Sequence, residues 1–192
     1  MSPPAHVSSS IPEYFSLFGF EPRFAIDLER LRRAYGDVLT LVHPDRHVRA
    51  SAGERRAAMQ LASHANEAYQ VLKSDTSRAA YLCRSHGVVV EGVGAAPLER
   101  LFLEQQMQWR EALDDARSAG EGTAVAARAA QVAGEAASLR AQVLARVARA
   151  IDEVGDYDSA AADVRALMFL DKLIAECVRL GAPAESDAGA HA

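Results

Sequence analysis

The sequence predicts an all-α protein made of an antiparallel helix hairpin with short flanking helices, followed by a three-helix bundle. Two observations carry this reading. About half of the residues are apolar (49%) while only 6% are aromatic, and the abundance of alanine suits packed helices better than sheets built from β-branched and aromatic side chains. The apolar residues also recur three and four apart over long stretches, which places them on one face of a helix.

Met1 to Ser10 holds too little apolar surface to order itself and is expected as a disordered tail. A first unit then spans 11–86. Its first helix runs from Ile11 to Gly19, opened by Pro12 and closed by the glycine, with Tyr14, Phe15, Leu17 and Phe18 as its apolar residues. Asp27 is a good N-cap for the second, whose stripe is Leu28, Leu31, Tyr35, Val38, Leu39 and Val42. Pro44 ends it by restricting His43 and lacking an amide proton. A third helix from about Gly53 places Ala58, Leu61, Ala65, Ala68 and Leu72 inward and dissolves at Lys73-Ser74-Asp75. A short fourth covers Thr76 to Ser85. Gly87, Gly92 and Gly94 mark 87–96 as a linker.

The second unit spans 97–181. Leu98, Phe102, Trp109, Leu113 and Ala116 form one helical stripe, and Val125, Ala129, Val132, Ala136, Leu139, Val143 and Ala150 form the seam of another. A last helix from about Ser159 turns Val164, Leu167, Ile174 and Cys177 inward. Trp109 and Tyr157 read as core anchors, His64 and His86 receive no functional role, and 182–192 is expected as a second disordered tail.

Composition excludes several classes. A formal charge of -5 argues against nucleic acid as a partner, because phosphate binding rests on Lys and Arg. Cys83 and Cys177 lie far apart with no Cys/His cluster, so neither a disulfide framework nor a metal site is expected. No membrane span or signal peptide is read from the sequence. A cytoplasmic protein is therefore expected, and the scarcity of lysine, only Lys73 and Lys172, together with the alanine content hints at a GC-rich bacterium.

The chemistry centres on His43-Pro44-Asp45, held outward between two amphipathic helices because Pro44 prevents helical continuation. Between residues 23 and 56 eight arginines, among them Arg30, Arg32 and Arg33, outnumber five acids, a local basic patch able to steer an acidic partner surface. This tripeptide, with Asn66 to Leu72, Asp75 and Arg78-Ala79 after it, resembles the J-domain that engages DnaK-class chaperones. The resemblance implies chaperone binding through His43, Pro44, Asp45, Arg30, Arg32 and Arg33, with Asp45 pairing to a chaperone arginine. ATP hydrolysis would then belong to the chaperone, leaving this chain no catalytic residues and no cofactor.

Tyr14 to Gly19, Arg78 to Leu82, Phe102 to Asp114 and Val164 to Leu173 are similar to the HscB-type J-proteins of iron-sulfur cluster biogenesis, a resemblance running from Ile11 to about Leu180. It implies two partners, the chaperone HscA and the cluster scaffold IscU, and scaffold binding at Leu103, Met107, Arg110, Glu111 and Phe169. The helical pattern agrees: Leu103, Met107, Arg110 and Glu111 project away from the Leu98, Phe102, Trp109, Leu113 stripe. Phe169 falls off the inward face of the last helix and is expected beside Leu103 and Met107 in one exposed patch. Glu104 and Gln108 depart from the apolar or acidic residues often found in relatives. No residues offer cluster ligands, so the protein is expected to handle the carrier and not the cluster.

Three other readings compete. A general J-domain co-chaperone of DnaK with another client would share His43-Pro44-Asp45 but not the two C-terminal motifs together. His43, Asp45 and His47 could be metal ligands of a hydrolase, but one short loop lacks the surrounding carboxylates and enclosing pocket of a catalytic site. A pure scaffolding role would leave the J-domain inert.

Overall fold

The computed structural model describes residues 13–43, 51–93, 95, 99–120 and 122–181. Both predicted tails, Pro44 to Ala50 and Leu98 lie outside the described residues. The described residues form seven α-helices and no strand.

Helix α1 (Glu13–Leu17) ends two residues before Gly19, while Ile11 and Pro12, where the pattern opens it, lie outside the described residues. Gly19, at φ 67°, closes it with a paired capping motif: its amide donates to Ser16 O (3.2 Å) and the Phe20 amide to Phe15 O (2.9 Å). The turn carries Phe15, Phe18 and Phe20 into the core. Helix α2 (Leu28–Leu41) starts as expected at Asp27, whose carboxylate accepts from the Glu29 and Arg30 amides. Those two bonds, Arg30's the stronger influence, hold its pKa below the usual carboxylate value.

Helix α3 (Ala52–Lys73) opens on a reciprocal capping box, Ser51 with Glu54, and returns antiparallel to α2. Tyr35 stacks on Tyr69 at 4.2 Å and donates to Asn66 Oδ1 at 2.6 Å, fixing the register of the hairpin. Ala58, Ala65, Ala68 and Leu72 are buried as predicted. Leu61 is not: it is 39% exposed, while one turn further on Tyr14 of α1 meets the His64 imidazole edge-on.

Helix α4 (Asp75–Ser85) is the hinge of the architecture. Arg78 is buried (4% exposed) and fully engaged. It donates from Nε to Phe24 O (2.7 Å), from one terminal nitrogen to Leu72 O (2.6 Å) and from the other to Asp75 (2.6 Å), with its guanidinium over the Phe24 ring. It thereby satisfies a carbonyl in the last turn of α3 that the helix cannot pair itself.

Helices α5 (Arg100–Ser118), α6 (Gly122–Arg149) and α7 (Tyr157–Gly181) form the bundle. Trp109, Leu113, Val132, Val143, Leu167 and Leu170 are buried in it. Trp109 Nε1–H donates to Glu135 on α6 (2.9 Å), which holds that carboxylate's pKa low. After Arg149 the chain makes one π-helical turn, Ala150–Val154, closed by Gly155 at φ 74°. The buried residues of hairpin and bundle join in one continuous core, with α4 packed against both α3 and α7. Val90, inside the stretch read as a linker, is buried. His86, given no role from sequence, stacks on Tyr157 at 3.6 Å across this seam.

Candidate functional site

Two separate faces carry the residues singled out in the sequence. On the first, His43 is exposed just beyond the C-cap of α2, while Pro44 and Asp45 lie outside the described residues. His47, the third member of the metal-ligand reading, lies outside them too. No group of three or more His, Cys, Asp or Glu side chains able to hold a metal ion occurs among the described residues.

The three arginines of α2 are all exposed but differ in their engagements. Arg30 donates to Gly19 O (2.7 Å) and lies over the Phe20 ring at 4.5 Å, so it secures the end of α1. Arg32 pairs with Glu29 at 3.0 Å, both side chains 67% exposed, a contact weak enough to exchange for another acid. Arg33, also exposed, adds to the positive surface.

The second face is built on α5 and α7. Leu103 (45% exposed) and Met107 (71% exposed) stand one helical turn apart on the outer side of α5, with Glu111 exposed one turn further on. Phe169, expected in one exposed patch with them, is only partly exposed. It is half-buried, meeting Phe102 edge-to-face (5.7 Å, 85°), and Arg110 reaches across from α5 with its guanidinium 5.9 Å from the ring centre. The physical reason is that Phe102 sits at the edge of the bundle core, where an aromatic partner from α7 fills the space left between the helices.

Beside Arg110 and Phe169 a groove of about 140 Å³ is lined by Leu113, Asp114, Arg117, Lys172, Leu173 and Glu176. Arg117 bridges Asp114 (3.0 Å) and Glu176 of α7 (2.8 Å), which keep it charged. Sequence reasoning missed Arg117 and Glu176; the Asp114–Arg117 spacing was the available signal. The departures are both exposed, with Glu104 paired to Arg100 at 2.8 Å. On the other flank of α5, Leu101, Phe102 and Gln105 border a larger cavity of about 520 Å³ toward Leu139, Val143 and Ala166.

Comparison with known proteins bears on what these faces serve. A family model described as the HSCB C-terminal oligomerisation domain matches residues 99–178. The co-chaperone protein HscB homolog of Bordetella pertussis is 46% identical over 164 residues, 85% of this chain and 93% of the relative. The chain belongs to the HscB co-chaperone family. The HscB homolog of Ralstonia nicotianae is 43% identical over 168 residues, 87% of this chain and 93% of the relative.

Among solved structures, chaperone HscB from Vibrio cholerae matches with a TM-score of 0.72 at 28% identity, covering 87% of this chain and 96% of that one. Human co-chaperone HscB shares the fold with a TM-score of 0.76 at 23% identity, covering 87% and 81%. The all-α class and the arrangement of J-domain plus helical bundle stand on these HscB likenesses. Membership makes the chain a co-chaperone, a protein whose partner is a chaperone. No described helix is long and apolar enough to cross a membrane.

Proposed function

We propose that this HscB-family chain stimulates ATP hydrolysis by the DnaK-class chaperone HscA and delivers the iron-sulfur scaffold IscU to it in the cytoplasm, serving the maturation of iron-sulfur proteins. In this reading residues 11–86 are the J-domain and 97–181 the scaffold-binding bundle. The chaperone is engaged through His43, Pro44 and Asp45, with Arg30, Arg32 and Arg33 supplying positive charge. Arg32 and Arg33 are the arginines available for steering, since Arg30 already holds the end of α1.

The observation that carries the client half is the Leu103–Met107 pair, apolar side chains left exposed on α5 beside an arginine whose guanidinium lies over the Phe169 ring at 5.9 Å. Scaffold binding at Leu103, Met107, Arg110, Glu111 and Phe169 would cover this patch. Exposed apolar residues at the centre of a surface, flanked by charge, are the arrangement of a protein interface.

Steady-state ATP hydrolysis by HscA tests the proposal, with and without IscU. Wild type should stimulate alone and further with IscU. Asp45→Ala should lose both effects. A Leu103→Ala/Met107→Ala variant should lose only the part that depends on IscU; these positions are preferred because Phe169 also packs on Phe102 and its removal would loosen the bundle. Full stimulation by Asp45→Ala would overturn the chaperone half, and stimulation of DnaK in preference to HscA would favour a general J-domain role.

A further inference from the structure

The loop between α1 and α2 is gripped by a residue of the bundle 128 positions away. Asp152 accepts the Phe24 amide on Oδ1 (2.7 Å) and the Ala25 amide on Oδ2 (2.8 Å), so one carboxylate satisfies two consecutive backbone donors. Phe24 and Ala25 lie outside any helix, and their amides have no partner in secondary structure. On its other side Phe24 presents its carbonyl to Arg78 Nε (2.7 Å) and its ring to the buried core. The residue is thus held from α4 and from the end of α6 at once. Asp27, two residues beyond Ala25, caps the helix that carries Arg32 and Arg33.

The π-helical turn sets up this grip. Each residue in it advances by less than an α-helical step, so side chains after Ala150 leave the register of the α6 seam. Ile151 stays buried while Asp152 turns toward the hairpin, and the Asp156 amide closes the turn on Ala150 O at 2.9 Å. A second carboxylate makes a parallel tie: Asp171 accepts Thr76 Oγ1 of α4 at 2.7 Å on one oxygen and Arg140 Nε of α6 at 2.5 Å on the other. Asp171 is two residues from Phe169 in the middle of α7, so this tie leaves the same turn of the helix that carries part of the client patch.

We propose that Asp152 is a positioning residue that fixes the direction in which α2 leaves the bundle, so that client bound on α5 and α7 is held at one set orientation to the chaperone. The inference rests on the function proposed above in naming client and chaperone, while its geometric content stands alone. A purely stabilising carboxylate would affect unfolding and nothing else. A positioning one also sets the spread of distances between the two halves and the extent to which the client enhances stimulation.

The test joins two readouts on the full chain. Spin labels on cysteines placed at exposed Asp37 and Ala141, with Cys83 and Cys177 buried and left in place, report the separation of α2 from α6. Wild type should give one narrow distance distribution, and Asp152→Ala a clearly broader one, with Asp152→Asn, which keeps one acceptor oxygen, in between. In the ATPase assay Asp152→Ala should stimulate HscA normally alone and bind IscU with wild-type affinity. Its extra IscU-dependent stimulation should fall by about fivefold or more, the lower end of the usual range for coupling between sites.

A distribution as narrow as wild type in Asp152→Ala, or retained IscU-dependent stimulation with a broadened one, overturns the inference. Should wild type itself show no IscU-dependent stimulation, the functional reading falls, and the distance distributions alone decide the role of Asp152.

Discussion

Replacing Arg78 by methionine keeps the volume and most of the packing at the centre of the fold while removing three donors. Two of its acceptors, Phe24 O and Leu72 O, are held at 2.7 and 2.6 Å by a side chain that is 4% exposed, so water does not readily take its place. Each orphaned buried acceptor costs about 1–3 kcal/mol. The third partner, Asp75, is 37% exposed in its side chain and recovers hydration, so its loss adds little. The two acceptors together cost about 2–6 kcal/mol, a range that brackets the cost of breaking a buried charged network by removing one member. For a chain of this size that lowers Tm by about 4–24 °C. Urea unfolding followed in parallel by Trp109 fluorescence and far-ultraviolet circular dichroism measures the loss. Arg78→Lys, which keeps the charge but cannot reach three separate partners, should recover at most about half of it. A loss below about 1 kcal/mol for Arg78→Met, the range of an exposed ion pair, would refute the role assigned to this side chain.

Two further outcomes are expected. Asp27→Ala should lower the midpoint of the same urea transition, through loss of the side-chain cap on the first turn of α2. Stability should also fall with acidification. Backbone amides hold Asp27, Trp109 holds Glu135 and Ser159 holds Asp156 below their ordinary pKa values, so the folded state binds fewer protons than the unfolded one. Their contribution is present above the ordinary carboxylate range and lost as pH falls through and below about 4, which thermal melts between about pH 6 and 3 will register. Glu135→Gln should flatten that dependence.

What the sequence disclosed and what it concealed divide along the range of the interaction. Gly19, the Asp27 cap and the alternating stripe of α6 act within one or two helical turns, and all were legible. The Ser51–Glu54 capping box was equally local, although the pattern alone placed the helix start nearer Gly53. Arg30 read simply as part of a basic face because the carbonyl it serves is created by the turn at Gly19. The π-helical turn has no glycine or proline within Ala150 to Val154 to announce it. Its partners are amides far back in the chain, visible only once α4 has brought hairpin and bundle together. At the candidate site the exposure of Leu103 and Met107 followed from helical spacing. The seat of Phe169 did not, because it depends on how α5 and α7 approach at Phe102.

The energetics of the proposed client patch give that shared core a consequence. Fully burying a leucine or methionine side chain is worth about 1.5–3 kcal/mol. Leu103 has just under half of its surface left to bury and Met107 about seven-tenths, at 45% and 71% exposure, so together they offer about 1.7–3.5 kcal/mol on that scale. Phe169, already half-covered by Phe102 and Arg110, adds only its remaining face. Association itself costs at least about 4 kcal/mol in lost freedom, so a patch of this make-up supports a weak and reversible contact. An exposed basic helix likewise steers a partner more than it grips one. Two weak contacts reinforce each other only when the link between them keeps the second partner concentrated near its site. A loose tether would dilute that effect over many orientations, whereas carboxylates that tie hairpin to bundle confine it to one.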